Sequence, residues 1–216
     1  MIRVVIADDH TIVREGLKQL LGAATDLEVV GEARDGHEAL KIVRDTDFDV
    51  LLLDLSMPGK GGLELIKQVR DEKPKVRIVV LSMHAEHQYA VRAIRTGASG
   101  YLTKDTAATQ LVAAIRKVAG GGAFISAEVA EQLALSAMPH AEGPPHASLS
   151  NREYQIFQLL VAGKAVSDIA QQLNLSVKTV STHKARLLEK MGLASQAELV
   201  HYAIKHRLVD DSAIPD

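Results

Sequence analysis

The sequence predicts two domains of different class: a doubly wound α/β domain on a five-stranded parallel sheet, then a four-helix domain containing a helix-turn-helix unit. The first 120 residues alternate short Val/Ile/Leu runs with amphipathic stretches. Two of those runs, VVIA and VLLLDL, are apolar on consecutive residues, which requires burial on both faces, as in a parallel sheet covered by helices. Beyond residue 147 the periodicity is helical throughout, with a capping signal before successive segments.

The strand candidates are 3–7, 28–33, 50–53, 77–81 and 100–102. Between and after them lie helical stretches at 10–21, 36–43, 61–71, 86–96 and 106–119. In the first of these Ile12, Val13, Gly16, Leu17, Leu20 and Leu21 recur at helical spacing and are expected to line one face. Five strand–helix repeats with right-handed crossovers place the C-terminal strand ends along one edge, where such folds carry their functional groups. Gly120-Gly121-Gly122 should stop the fifth helix. Ser126 can cap a further helix through about Met138. Three prolines and a glycine then fall within residues 139–146, which neither a helix nor a central strand sustains. The expected boundaries are therefore 1–120 for the α/β domain, 121–147 for a helix and linker, and 148–209 for the helical domain.

In that last domain, Ser150 with Glu153 forms a capping box that opens a helix to about Ala162. A short helix follows near 167–173, then a turn at Asn174-Leu175, and Ser176 caps a third helix from Val177 to Met191. Ser195 and Glu198 make another capping box for a fourth helix to about His206. Two helices joined by so short a turn are the helix-turn-helix unit.

Composition narrows the classes. With 47% apolar residues a packed core is available, and with aromatics at 3% and no Trp it must be aliphatic. The absence of Cys excludes disulfides and thiolate metal sites. MIRVVIADDH lacks the pattern of a signal peptide, and no apolar run approaches a membrane span, so a cytoplasmic protein with no membrane partner is expected. The net charge of −2 is unevenly spread: residues 148–209 hold eight Lys and Arg against four Asp and Glu, whereas 1–147 hold seventeen against twenty. A basic segment on an acidic remainder points to an anionic partner for the helical domain.

Three carboxylates should meet at strand ends: Asp8 and Asp9 after the first strand and Asp54 at the end of the third. Like charges brought together raise one another's pKa, and a divalent cation relieves the repulsion. Oxygen donors without thiolates favour Mg²⁺. Ser82 at the end of the fourth strand and Lys104 after the fifth add a hydroxyl and a cation, which together make a place for a phosphoryl group. Asp54 is then the candidate nucleophile, forming an acyl phosphate. Each residue also has an ordinary reading: Asp8 and Asp9 could cap the helix near His10, Ser82 could sit in a turn, and Lys104 could be a surface cation. Their joint placement at successive strand ends favours the site.

The segments VVIADDH, LLLDLSMPGKGGLEL, VVLSMHAE and GASGYLTKD resemble the receiver domain of bacterial response regulators. The resemblance implies that Asp8 and Asp9 are the acidic metal-binding pair and that Asp54 is the phosphoacceptor. It implies that Ser56 gives a backbone carbonyl to the metal, that Ser82 and Tyr101 are the switch hydroxyl and aromatic, and that Lys104 is the family's lysine. Many receivers have Pro after that lysine; this chain has Asp105.

On the third C-terminal helix, Val180, Leu187, Leu188 and Met191 fall on the core side, and Lys178, Ser181, Thr182, Ala185 and Glu189 share the opposite face. Small residues allow close entry to a major groove, where Ser and Thr can bond base edges; Lys184 and Arg186 flank them and suit phosphates. His183, at the core boundary, reads as structural. Without its context this helix would read as a solvated surface helix. The context, SNREYQIFQLLVAGKAVSDIAQQLNLSVKTVSTHKARLLEKMGLASQAEL, resembles the LuxR-type helix-turn-helix of the NarL/FixJ family, and residues 124–147 are similar to its GacA/UvrY branch. The resemblance implies DNA contacts from Lys178, Thr179, Ser181, Thr182, Lys184, Ala185 and Arg186, and dimerisation through the fourth helix at Ser195, Leu199 and Tyr202. It implies as partners a sensor histidine kinase, double-stranded DNA and a second copy of the chain, and a regulator rather than an enzyme. Two other readings stay open on the residues alone. A phosphohydrolase of the haloacid dehalogenase type also uses a strand-end Asp, but carries a second Asp two residues later where this chain has Ser56. An output domain that works by protein contact would not bind DNA in a salt-dependent way.

Overall fold

The computed structural model describes residues 1–57, 62–82, 87–135, 144–206 and 208. The chain divides into two compact units, Met1–Leu133 and Ala134–Asp216.

In the first unit the strands are β1 (Ile2–Ala7), β2 (Leu27–Ala33), β3 (Val50–Asp54), β4 (Arg77–Ser82) and β5 (Gly100–Thr103). They form one parallel sheet in the order β2-β1-β3-β4-β5. The helices are α1 (Thr11–Gly22), α2 (Gly36–Asp45), α3 (Gly62–Glu72), α4 (His87–Thr96), α5 (Lys104–Ala119) and α6 (Ala127–Leu135). On one face Leu17 and Leu21 of α1 and Leu111, Ala114, Ile115 and Val118 of α5 pack with Val4, Ile6, Val50, Leu52, Val79 and Leu81. The alternate residues Val5, Leu51, Leu53, Ile78 and Val80 are fully buried as well, so both faces of the sheet are covered. That two-sided burial is why the central strands read as unbroken apolar runs.

The apolar stripe expected on α1 narrows in the structure. Leu17 and Leu21 lie on the buried row, whereas Ile12 is 88% exposed and Leu20 36%. Ile12, Gly16 and Leu20 form the neighbouring i, i+4 row, and a single helix resting on a sheet buries only the row that faces it.

The segment after the glycine triplet is not a free linker. Phe124 accepts a hydrogen bond from the Tyr101 amide (2.9 Å) and donates to Ser99 O (3.0 Å), pairing with the open edge of β5. Gly100 permits this approach, because a Cβ there would stand 3.2 Å from Phe124 O. The first compact unit extends to Leu133. Residues 136–143, which include Pro139 and Gly143 of the expected linker, lie outside the described residues.

The second unit contains α7 (Asn151–Val161), α8 (Val166–Gln172), α9 (Val177–Met191) and α10 (Gln196–Lys205). A 3₁₀ turn at Pro145–Ser148 packs against α9 and carries the buried His146, so this unit is under way before residue 148. The predicted N-cap residues are in place, but the box expected at Ser195 is not closed, because Glu198 Oε2 accepts from the Ala194 amide. Ser150 and Glu153 close the capping box of α7, Ser176 accepts from the Thr179 amide, and Ser195 from the Glu198 amide. Asn174 turns the chain between α8 and α9 at φ 56°, a left-handed conformation that Asn tolerates. Tyr154, Ile156, Phe157, Leu160, Ile169, Val180, Leu187 and Leu199 are fully buried, with Tyr154 stacked on Phe157 at 5.6 Å. Among the described residues no helix is long and apolar enough to cross a membrane.

Candidate functional site

The parallel register brings the C-terminal strand ends level: Ala7 lies opposite Leu53, Asp54 opposite Leu81, and Ser82 opposite Thr103. Asp8, directly after β1, and Asp54 and Ser82, the last residues of β3 and β4, are all fully buried at this edge. Lys104 is the first residue of α5, which starts two residues earlier than its apolar period suggests because Thr103 caps it through the Thr106 amide. That start aims Lys104 back over the strand ends. Its Nζ lies 2.7 Å from Asp54 Oδ2 and 2.8 Å from Asp8 Oδ2.

Each carboxylate is also held by backbone. Asp54 Oδ1 accepts from the Ser56 amide at 2.9 Å, and Asp8 Oδ1 from the His10 amide at 2.8 Å. Asp8 therefore braces the turn into α1 but does not cap it; His10 occupies the N-cap position. Burial pulls the Lys104 ammonium down, but the Asp54 and Asp8 carboxylates outweigh it and hold its pKa above the usual value. Asp9, partly exposed, completes the cluster: one donor atom each from Asp8, Asp9, His10 and Asp54 lie within 4.8 Å of one another. Asp9 Oδ1 is buried without a hydrogen-bond partner. Such an oxygen-rich acidic donor set, with Asp9 Oδ1 left over, suits a divalent cation. Tyr101 lies on β5 with its side chain buried at 9% exposure. Sequence reasoning passed over two residues here. Arg14 donates from Nη1 to Asp8 O at 2.7 Å, and His10 turns its ring towards the carboxylates. Only the adjacency in Asp8-Asp9-His10 could have signalled the second.

In the second unit Lys178, Ser181, Thr182, Ala185, Arg186 and Glu189 are exposed along one side of α9, as the helical period predicts. Thr179 is half-buried, its hydroxyl 2.7 Å from that of Ser176 in the cap. Lys184 differs from a free flanking cation: half-buried, it donates to Gln196 Oε1 at 2.6 Å. His183 is half-buried, and burial together with Arg152 and Arg186 lowers its pKa, against an opposing pull from Glu153. The residues assigned to dimerisation are engaged inside their own domain. Leu199 is fully buried beside α7, so its side chain belongs to the core and offers nothing to a partner surface. Ser195 caps α10, and Tyr202 OH pairs with His146 Nδ1 at 2.7 Å.

An α/β unit with a carboxylate–lysine cluster at its strand ends, followed by a helix-turn-helix unit with a polar outer face, defines a signalling receiver joined to an output domain. Residues 4–116 match the response regulator receiver domain, and residues 147–203 match the luxR family of bacterial regulatory proteins. The chain is 41% identical over 209 residues to the response regulator UvrY of Escherichia coli K12, covering 96% of each. It is 40% identical over 214 residues to the response regulator GacA of Pseudomonas viridiflava, covering 99% of this chain and 100% of that one. RcsB of Salmonella enterica serovar Typhimurium, solved bound to promoter rprA in the presence of the phosphomimetic BeF3−, superposes with a TM-score of 0.67 at 29% identity, covering 93% and 97%. The chain belongs to the NarL/FixJ family of two-component response regulators. It is thus a regulator with a DNA-binding output domain and not a phosphohydrolase.

Proposed function

We propose that Asp54 accepts a phosphoryl group from a sensor histidine kinase, and that this controls sequence-specific binding of double-stranded DNA by α9. The observation that carries the reading is the Lys104 ammonium seated between the Asp54 and Asp8 carboxylates at the buried strand-end edge. An Asp54 oxygen attacks phosphorus as the donor's nitrogen–phosphorus bond breaks, giving an acyl phosphate. Lys104 neutralises charge on the transferred group, and the Ser56 amide keeps Asp54 oriented. Asp8, Asp9, Asp54 and the Ser56 carbonyl would hold Mg²⁺, which screens the charge gathered between carboxylate and phosphate. Ser82 then donates its hydroxyl to the bound phosphoryl group, and Tyr101 packs inward behind it. A switch of this kind works only if the phosphoryl group favours one receiver state over the other.

At the output end Lys178, Thr179, Ser181, Thr182 and Ala185 face base edges in a major groove, while Arg186 and, once freed from Gln196, Lys184 meet phosphates. RcsB, a relative across nearly the whole chain, has been seen bound to a promoter with a phosphomimetic present. Phosphorylation favours a dimer on a two-fold site, through the exposed side of α10 rather than through Leu199. The protein works in the cytoplasm, where its DNA lies. The test is fluorescence anisotropy of a selected DNA duplex, with and without acetyl phosphate and Mg²⁺. Affinity should tighten for the wild type and stay unchanged for Asp54→Asn; equal tightening in both would overturn the reading.

A further inference from the structure

Two cations flank the outer face of α9, and they are not equally free. Lys184 and Arg186 stand two residues apart, so about 200° of helical turn places them on nearly opposite sides of the helix. Such a pair suits the two phosphate backbones that wall a major groove. Arg186 is exposed. Lys184 is half-buried, and its Nζ donates to Gln196 Oε1 at 2.6 Å. The other end of that amide is also held: Gln196 Nε2 donates to Leu160 O, in the last turn of α7, at 3.0 Å. Gln196 is the first residue of α10, which rests mainly on α7. An amide fixed at both ends keeps one orientation, and a hydrogen bond from an ionised donor is among the stronger ones. The Lys184 ammonium is thus drawn in towards α7 and α10.

We infer that Gln196 is a positioning residue for DNA binding: it withholds Lys184 from phosphate, so that the first turn of α10 sets how many cations α9 presents to the duplex. The inference rests on the reading of α9 as a groove helix with phosphate-binding flanks and deepens it. With the tether made, Arg186 is the free flanking cation. With the tether broken, Lys184 reaches the opposite backbone, and one more counterion leaves the DNA. The two states carry the same charge and differ only in where it is placed.

The experiment uses the full chain and a selected DNA duplex, with anisotropy titrations over a range of salt. Wild type is compared with Gln196→Met and with the double variant Gln196→Met, Lys184→Ala. Met keeps the length of Gln and removes both hydrogen bonds without altering charge. Gln196→Ala is carried alongside, and thermal melts check that each variant folds. Losing the tether should tighten binding at low salt and steepen the slope of log affinity against log salt by about 0.9 for each bound protomer. A residue that only braced the fold would weaken binding or leave that slope alone. Adding Lys184→Ala should take the extra slope away. An unchanged or shallower slope in a folded Gln196→Met or Gln196→Ala chain, or an extra slope that survives Lys184→Ala, would overturn the inference. Wild-type binding that does not weaken with salt would overturn the phosphate-contact reading itself, which separates the two failures.

Discussion

At Asp54 the two carboxylate oxygens have different partners: the Ser56 amide holds Oδ1 and the Lys104 ammonium holds Oδ2. Replacing Lys104 with Ala should slow phosphoryl uptake from acetyl phosphate about 100-fold, followed as mass gain against time, because the transferring group loses its cation. An unchanged rate would place Lys104 outside the chemistry. Glu153, in the other unit, allows a pH prediction. Burial raises its pKa, but Lys190 and the Ser150 amide and hydroxyl outweigh this and leave it below the usual 4.5. Its contribution is therefore complete above pH 4.5 and is lost as pH falls through the lowered folded value. Glu153→Gln should cost about 1 kcal/mol at neutral pH and flatten the acid side of the stability curve, measured by urea unfolding. Single residues were legible where the fold dictated their place. Asp8, Asp54, Ser82 and Lys104 follow from strand ends alone. Leu199, named by family analogy, is buried in its own unit, and only packing shows which face of its helix is inward.

Helices and strands were the most legible level, since apolar period and cap chemistry are local. The α9 range and its Ser176 cap stand where the sequence put them. The apolar period places the start of α5 two residues late, because its first turn carries Lys104 and Asp105 and so no apolar signal. On α1 the period gave two adjacent rows, and the sheet chose one of them. Two substitutions test these assignments. Leu199→Ala should destabilise the helical unit by about 3 kcal/mol in urea unfolding, as a core truncation. A stable variant that merely dimerises less would restore the surface role. On α9, Arg186→Ala should weaken binding to all duplexes alike and reduce the salt slope by about one, whereas Ser181 or Thr182 changes should alter sequence preference. The opposite pattern in anisotropy titrations would mean that another face of α9 reads the DNA.

For the whole molecule the sequence showed two domains and their order. Phe124 looks like a linker residue, yet it pairs with β5; backbone pairing leaves no mark in an apolar pattern. His146 sits in a Pro-rich stretch, yet it is buried against Tyr202. The proposed regulation depends on a covalent event at one side chain that changes what the other unit binds. The most direct test of that event is the intact mass of the full chain after incubation with acetyl phosphate and Mg²⁺, for wild type and Asp54→Asn. The account predicts the added mass of one phosphoryl group on the wild type and none on the variant. The same gain on Asp54→Asn, or none on either protein, would contradict it.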